Sequence, residues 1–352
     1  LLYHKDHMYL TLIMIDTRIR LRRIDLMKFA IIGTNFVSDT LMEGAKDIPD
    51  FELSVVCSRT LEHAEAFARK YGCTTVVTDY KDITPEMADA VYVATPNSLH
   101  CEQSIYFLNK KMHVLCEKPL ASNIDEVNQM FEAADKNGVM LLEAIVPLFT
   151  PNFLALKQAS TMVGQVRRAV FSFGKYSSRY DAYRAGNVMN AFKNDLSNGS
   201  LMDLGVYSLS NCIAIFGKPL KVQASAYMLE SGVDGLGTML LTYPDKEVII
   251  MHSKITDSHF ESEIQGEDGT VIIKGISSPQ AVKVVSRNKE VTELTALQKP
   301  TTKYYELVEF IKCVKSGKYR SELVPRQLTI DVHTVMTDVR KQIGLIYPAD
   351  EK

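Results

Sequence analysis

Over the first half of the chain, short apolar runs alternate with helix-patterned stretches, and this alternation restricts the fold more than any other feature. Lys28–Ile32 is an apolar run ending at Gly33, and Phe51–Cys57 is a second. Runs of this kind suit parallel strands buried on both faces. Asp89–Ala94, Met112–Cys116 and Val139–Glu143 repeat the pattern. The intervening segments read as helices. One follows Gly33 to about Lys46, broken by Ile48-Pro49. In the next, Thr60 is placed as a cap, Leu61, Ala64, Phe67, Ala68 and Tyr71 recur at helical spacing, and Gly72 stands at the C-terminus. Others run over about 99–109 and 123–136, where Asn123 and Glu126 have the spacing of a capping box. Strands alternating with helices predict a parallel sheet with right-handed crossovers. Ligands of such sheets sit beyond the carboxyl ends of the strands. That rule selects Gly33–Ser38, Ser58-Arg59, Ala94–His100 and Glu117-Lys118-Pro119.

A length of 352 residues predicts two domains, since single cores stop growing at about 250–300 residues. Net charge is −2 with no run of five like charges, which argues against a nucleic-acid surface. The six cysteines, at 57, 73, 101, 116, 212 and 313, form no CxxC pair, so neither a metal site nor a disulfide framework is indicated. Reduced thiols in a cytoplasmic protein are the plain reading. Near the N-terminus, apolar Met8–Ile15 precedes Arg18, Arg20, Arg22 and Arg23. The apolar part is far short of the ~20 residues of a membrane span, and its order of charges is wrong for a secretory signal. Residues 1–26 are read as an upstream extension with Met27 as the start, the alternative being an N-terminal helix that packs on the protein.

The first of the selected loops is a reduced dinucleotide fingerprint. The full pattern is GxGxxG; here it is Gly33-Thr34-Asn35-Phe36-Val37-Ser38. Asn35 is expected to tolerate a positive φ in place of the second glycine, and Ser38 is small enough for close helix–strand packing. Any strand-to-helix turn of an α/β protein could carry the same residues. The end of the second strand adds discrimination. An NAD-binding domain places a carboxylate there for the ribose 2′-hydroxyl, whereas this chain has Ser58-Arg59. A guanidinium can clamp a 2′-phosphate that a carboxylate would repel. NADP(H) is therefore favoured over NAD(H), the bland alternative being that Arg59 opens a solvated helix.

Ala94-Thr95-Pro96-Asn97-Ser98-Leu99-His100, Glu117-Lys118-Pro119 and the run Gly199–Tyr207, with Asp203 inside it, resemble motifs of the glucose–fructose oxidoreductase/inositol dehydrogenase (Gfo/Idh/MocA) family over residues 27–345. Tyr207 stands where the family commonly has His, as in its dihydrodiol-dehydrogenase-like branch. The resemblance implies an α/β fold with an N-terminal Rossmann parallel sheet over 27–145 and a C-terminal α/β domain over 146–352. That second domain would carry an open-faced, mostly antiparallel sheet and the substrate and oligomerisation surfaces. Strand-like stretches near 166–176, 219–228, 236–243, 246–255, 260–266 and 269–274 agree, with turns at Asp245-Lys246 and Asp268-Gly269. Helices over about 302–315 and 326–343 are expected to close the structure. A homodimer or homotetramer is implied.

The implied chemistry is hydride transfer between nicotinamide and a carbonyl or hydroxyl carbon of a sugar, polyol, dihydrodiol or similar small molecule. Lys118 is expected to meet the substrate oxygen, with a pKa lowered by desolvation beside the cofactor. Asp203 and Tyr207, four apart on a predicted helix, share a face continued by Asn211, and Tyr207 is the candidate proton donor. Thr95, Pro96, Asn97 and His100 are expected along the nicotinamide, His100 as a loop holder; Glu117 is expected to orient Lys118 and the cofactor. Glu143 is placed with the cofactor-binding residues. The competing reading is a non-catalytic NADP(H)-binding sensor on the same fold. Retained Lys118 favours the enzyme.

Overall fold

The computed structural model describes residues 26–351, so the reading of the N-terminal extension falls, but for Leu26, outside the described residues. Six strands form a wholly parallel sheet: β1 (Met27–Ile32), β2 (Phe51–Cys57), β3 (Val76–Val77), β4 (Ala90–Val93), β5 (His113–Glu117) and β6 (Leu141–Ala144). Their spatial order is β3-β2-β1-β4-β5-β6. The direction of winding reverses between β1 and β4, so the loops after these two strands diverge and leave a crevice. β1, β4 and β6 are buried almost throughout, which is why they read as unbroken apolar runs rather than as alternating ones.

Helix starts follow local chemistry. Asn35, Thr60 and Asn123 each accept backbone N–H groups of the first turn. In the last case the Glu126 carboxylate turns back to the Ser122 N–H at 2.9 Å, one residue before the cap. Gly72 and Gly138 take the left-handed conformation at the C-termini.

The second sheet has eight strands: β7 (Val166–Gly174), β8 (Lys221–Met228), β9 (Asp234–Thr242), β10 (Glu247–Ser253), β11 (Ser262–Gly266), β12 (Gly269–Lys274), β13 (Ala281–Ser286) and β14 (Val291–Glu293). Their order is β14-β13-β12-β11-β7-β10-β9-β8. Only β7 and β10 pair in parallel; the rest is antiparallel. Ala169, Phe171, Met239, Leu241, Val248 and Ile250 point to the covered face and are buried. Against that face lies the helix Val206–Phe216, preceded by a π-helical turn at Leu201–Gly205. Asn194–Phe216 is long and apolar enough to cross a membrane by length and composition alone, yet 72% of its apolar window is buried inside the protein.

Among the strands and α-helices described, five lie outside the sequence reading: β3, the helix Pro151–Ser160, the short helix Tyr180–Arg184, β13 and β14. The last two helices, Lys303–Lys315 and Arg326–Ile343, return to the parallel sheet. Phe310 packs on Phe29 of β1 with ring centroids 5.7 Å apart, and Thr337 accepts the Ile124 N–H at 3.1 Å.

Gly33 makes the crevice possible. Its φ is +96°, and a Cβ there would run into the Ala94 carbonyl oxygen. Gly33→Ala is expected to cost about 2–4 kcal/mol from left-handed strain and overpacking combined, measured by urea denaturation of the two proteins.

Candidate active site

The loops after β1 and β4 are tied to each other. Asn35 Nδ2 donates to the Ala94 carbonyl at 2.6 Å while its Oδ1 caps Val37 N at 2.8 Å. Its φ is −108°, so Asn35 replaces the second glycine of the fingerprint as a helix cap and strap, not as a residue of positive φ. Ser38 is buried and donates to the Gly33 carbonyl at 2.5 Å. At the end of β2, the Thr34 and Ser58 hydroxyls lie 3.0 Å apart. Arg59 beside them is exposed and forms no ion pair among the described residues. A hydroxyl pair, an unpaired guanidinium and a backbone kept bare at Gly33 fit an adenosine phosphate arriving over the strand end. Phe36 is exposed at the start of the helix.

The loop after β4 reaches both domains. Asn97 Nδ2 donates to the Ser197 carbonyl at 2.9 Å. Thr95 Oγ1 donates to Gln103 Oε1 at 2.7 Å. Pro96 opens the short 3-10 turn Asn97–Leu99. His100 is fully buried, with Nδ1 2.9 Å from the Pro119 carbonyl and Nε2 2.9 Å from the Thr95 carbonyl. The ring is thus a peg between two loops, as the sequence suggested, and burial pushes its pKa down.

Lys118 projects from the loop after β5, just before a cis peptide to Pro119. Its Nζ donates to the Asp203 carbonyl oxygen and to Asp203 Oδ1, both at 2.9 Å, and lies 4.9 Å from the centre of the Tyr207 ring. An ammonium has three donors, and the third meets no acceptor among the described residues. The expected fall in the pKa of Lys118 is not what the surroundings produce. Burial pulls it down, but Asp203 and Tyr207 outweigh that and hold it well above the usual lysine range. Burial likewise raises Asp203, and Lys118 and Lys254 together overcome it to hold the carboxylate far below its usual range. Burial raises the Tyr207 phenol; Lys118 lowers it by less, so the hydroxyl keeps its proton at neutral pH. Asp203 and Tyr207 do converge on Lys118, though through a π-turn followed by α-helix rather than one regular helix. Asn211 does not reach Lys118; its amide donates to the Tyr207 carbonyl at 2.8 Å and to the Ile276 carbonyl at 3.1 Å.

Two predicted residues serve beneath the loop. Glu117 is 6% exposed and accepts from the Tyr92 hydroxyl and from Lys303 Nζ at 2.5 Å; its carboxylate does not touch Lys118. Glu143, on the edge strand β6, accepts the Leu120 N–H at 2.9 Å and pairs with His333 Nε2 at 3.1 Å. Its acceptor is engaged in buried bonds away from the β1–β4 crevice. Lys254, Lys303, Glu306 and His333 escaped the sequence reading. Each lies more than 40 residues from the partner it meets here except Glu306, so no local spacing marks them.

A parallel sheet of this winding, with an ammonium–carboxylate pair and a protonated phenol beyond its strand ends, defines a dinucleotide-dependent oxidoreductase. The chain belongs to the GFO/IDH/MocA oxidoreductase family. Residues 27–145 match the family's NAD-binding Rossmann fold and 157–272 its C-terminal domain. It is 44% identical to scyllo-inositol 2-dehydrogenase (NADP(+)) IolU of Bacillus subtilis, over 93% of this chain and 100% of that protein. Identity to the trans-1,2-dihydrobenzene-1,2-diol dehydrogenase of Danio rerio is 27%, over 93% of this chain and 99% of that one. The crystal structure of aldose-aldose oxidoreductase from Caulobacter crescentus has the same fold, with a TM-score of 0.80 at 21% identity, over 90% of this chain and 97% of that one.

Glu306, buried 2.9 Å from Lys303, generates a pH-dependent prediction. Burial pushes its carboxyl up to about 7 from an ordinary 4.5; Lys303 pulls it down and Glu117 pushes it up. A carboxyl with the higher pKa in the folded chain binds its proton more tightly there, so its contribution to stability falls as pH rises from about 4.5 to 7. Denaturation curves at pH 5 and pH 8 should show Glu306→Gln losing less stability over that interval, by on the order of 1–3 kcal/mol. An equal loss in both proteins would show that another group titrates.

Proposed function

We propose that this chain is an NADP(H)-dependent dehydrogenase or reductase acting on a CH–OH or carbonyl carbon of a cyclic polyol or related sugar, with a substrate of inositol type favoured. The observation that carries the reading is the Lys118 ammonium. It is fixed by two bonds to Asp203 and has its third donor unspent beside the protonated Tyr207. The name of the Bacillus subtilis relative supports both the polyol and the NADP(H).

When bound, the nicotinamide gives or takes the hydride. In this reading Lys118 donates to the substrate oxygen and stabilises negative charge as it develops there. Tyr207 gives its phenolic proton to that oxygen in reduction and takes one back in oxidation. Asp203 acts through Lys118 and is a positioning residue. Arg59, with Thr34 and Ser58, holds the 2′-phosphate; Gly33, Asn35, Phe36 and Val37 line the pyrophosphate turn; Thr95, Pro96, Asn97 and His100 shape the nicotinamide side. Residues 27–145 supply the cofactor half and 146–352 the substrate half, with the last two helices packed back on the first. Six buried cysteines, none in a disulfide among the described residues, suit the cytoplasm. A homodimer or homotetramer would use the outer face of the second sheet, where half-buried Leu240, Ile249 and Val170 form one row across β9, β10 and β7.

The test is turnover of a polyol and ketone panel with both cofactors. NADPH should bind about ten- to a hundredfold tighter than NADH, and Arg59→Ala should erase most of the difference. Single-turnover hydride transfer should fall about 10²–10⁴-fold in Lys118→Met with cofactor binding retained. Tyr207→Phe should approach that loss, and the double variant should be little slower than either. An unchanged rate in Lys118→Met would remove the catalytic assignment and leave a cofactor-binding sensor.

A further inference from the structure

Asp203 is shared by two ammoniums. Lys118 holds Oδ1 at 2.9 Å and Lys254 holds Oδ2 at 3.1 Å. Lys254 stands just past the end of β10 and is 1% exposed. Its remaining contacts are the Ala191 carbonyl at 2.7 Å and the face of Phe192 at 4.9 Å, neither of which carries a negative charge. A buried ammonium ordinarily comes with a carboxylate of its own. Among the described residues Lys254 has only the one that already serves Lys118, so two ammoniums are bonded to a single carboxylate. The sharing is built into the backbone. Asp203 sits in the π-helical turn, whose first N–H, from Leu201, is accepted by buried Asp234 at 2.7 Å. The residue before it, Ser200, is 2.9 Å from the ring of buried His252.

We infer that Lys254 is a positioning residue whose charge, acting through Asp203, keeps the Lys118 ammonium from being neutralised by its own counter-ion. A carboxylate devoted wholly to Lys118 would cancel its pull on an oxygen gaining negative charge. A second cation on the far oxygen of that carboxylate draws the field away and leaves the excess at the mouth of the cleft, where low polarity magnifies it. The charged and titratable groups that face this cluster are Glu117 and Tyr207 beside Lys118, and Asp234 beside Lys254. None of them supplies a second carboxylate within bonding distance of either ammonium.

The inference rests on Lys118 meeting the substrate oxygen, but its first test needs no substrate. Trace acetylation of the whole chain with acetic anhydride, read by mass spectrometry at fixed pH, reports how tightly Lys118 holds its proton. Lys254→Met removes a like charge, so Lys118 should label about tenfold or more slowly than in the unmodified protein. Lys254→Gln, which keeps a donor toward Ala191, should do the same if the Met variant folds poorly. In turnover, Lys254→Met should lower kcat about ten- to a hundredfold without raising KM for the cofactor. Adding Asp203→Asn to it should recover part of that loss, because Lys118 is again without an uncompensated counter-ion. Unchanged labelling of Lys118 in a folded variant, or a double variant slower than either single one, overturns the inference. Slowed labelling in a chain that turns over nothing on the panel upholds the charge coupling and refutes the proposed function instead.

Discussion

The loop after β5 is the constraint on which the rest of the molecule depends, because it is fastened from every side. Glu117 anchors its start to Lys303 and Tyr92, His100 grips the Pro119 carbonyl, and Glu143 accepts the N–H of Leu120. Each fastening comes from a different element, and each is buried. A side chain projecting from such a loop has little freedom left, so Lys118 meets Asp203 with two bonds at no further cost in backbone order. Preorganisation of this kind separates a usable ammonium from a surface one.

The site is also a place where buried charge is unevenly matched. Beneath the loop, Glu117 and Glu306 share Lys303; above it, Lys118 and Lys254 share Asp203. The lower cluster has one negative charge too many when both carboxyls are ionised, and the upper one has one positive charge too many. When Glu306 is ionised, imbalances of opposite sign lie on the two sides of one strand end and set a field along the loop.

Much of this architecture could be read from sequence because the features are local. Apolar runs marked β1, β2, β4, β5 and β6, and caps at Thr60 and Asn123 marked helix starts. The Glu117-Lys118-Pro119 and Asp203–Tyr207 motifs pointed to residues that do meet. What stayed hidden depends on partners far along the chain. Nothing near Lys254 or Lys303 announces a buried ammonium. A π-turn at Leu201–Gly205 does not show in a pattern assumed to repeat every 3.6 residues. β14 is exposed along its whole length, so it carries no burial pattern to detect. Asn35 does not take the positive φ expected of it, because its side-chain amide caps the helix and ties the turn to the Ala94 carbonyl.

The tether between Glu117 and Lys303 spans 186 residues, and this bears on how the protein is made. At about 5–20 residues per second, roughly 10–40 s pass on the ribosome between the appearance of the carboxylate and that of the ammonium that will neutralise it. Until then, burying Glu117 would strand a charge in apolar surroundings, which is strongly unfavourable. The nascent parallel sheet therefore has reason to remain open at the end of β5, with that strand end hydrated, while the whole second sheet is being synthesised. A domain that looks self-contained by its strand order thus awaits the penultimate helix of the chain before it can close.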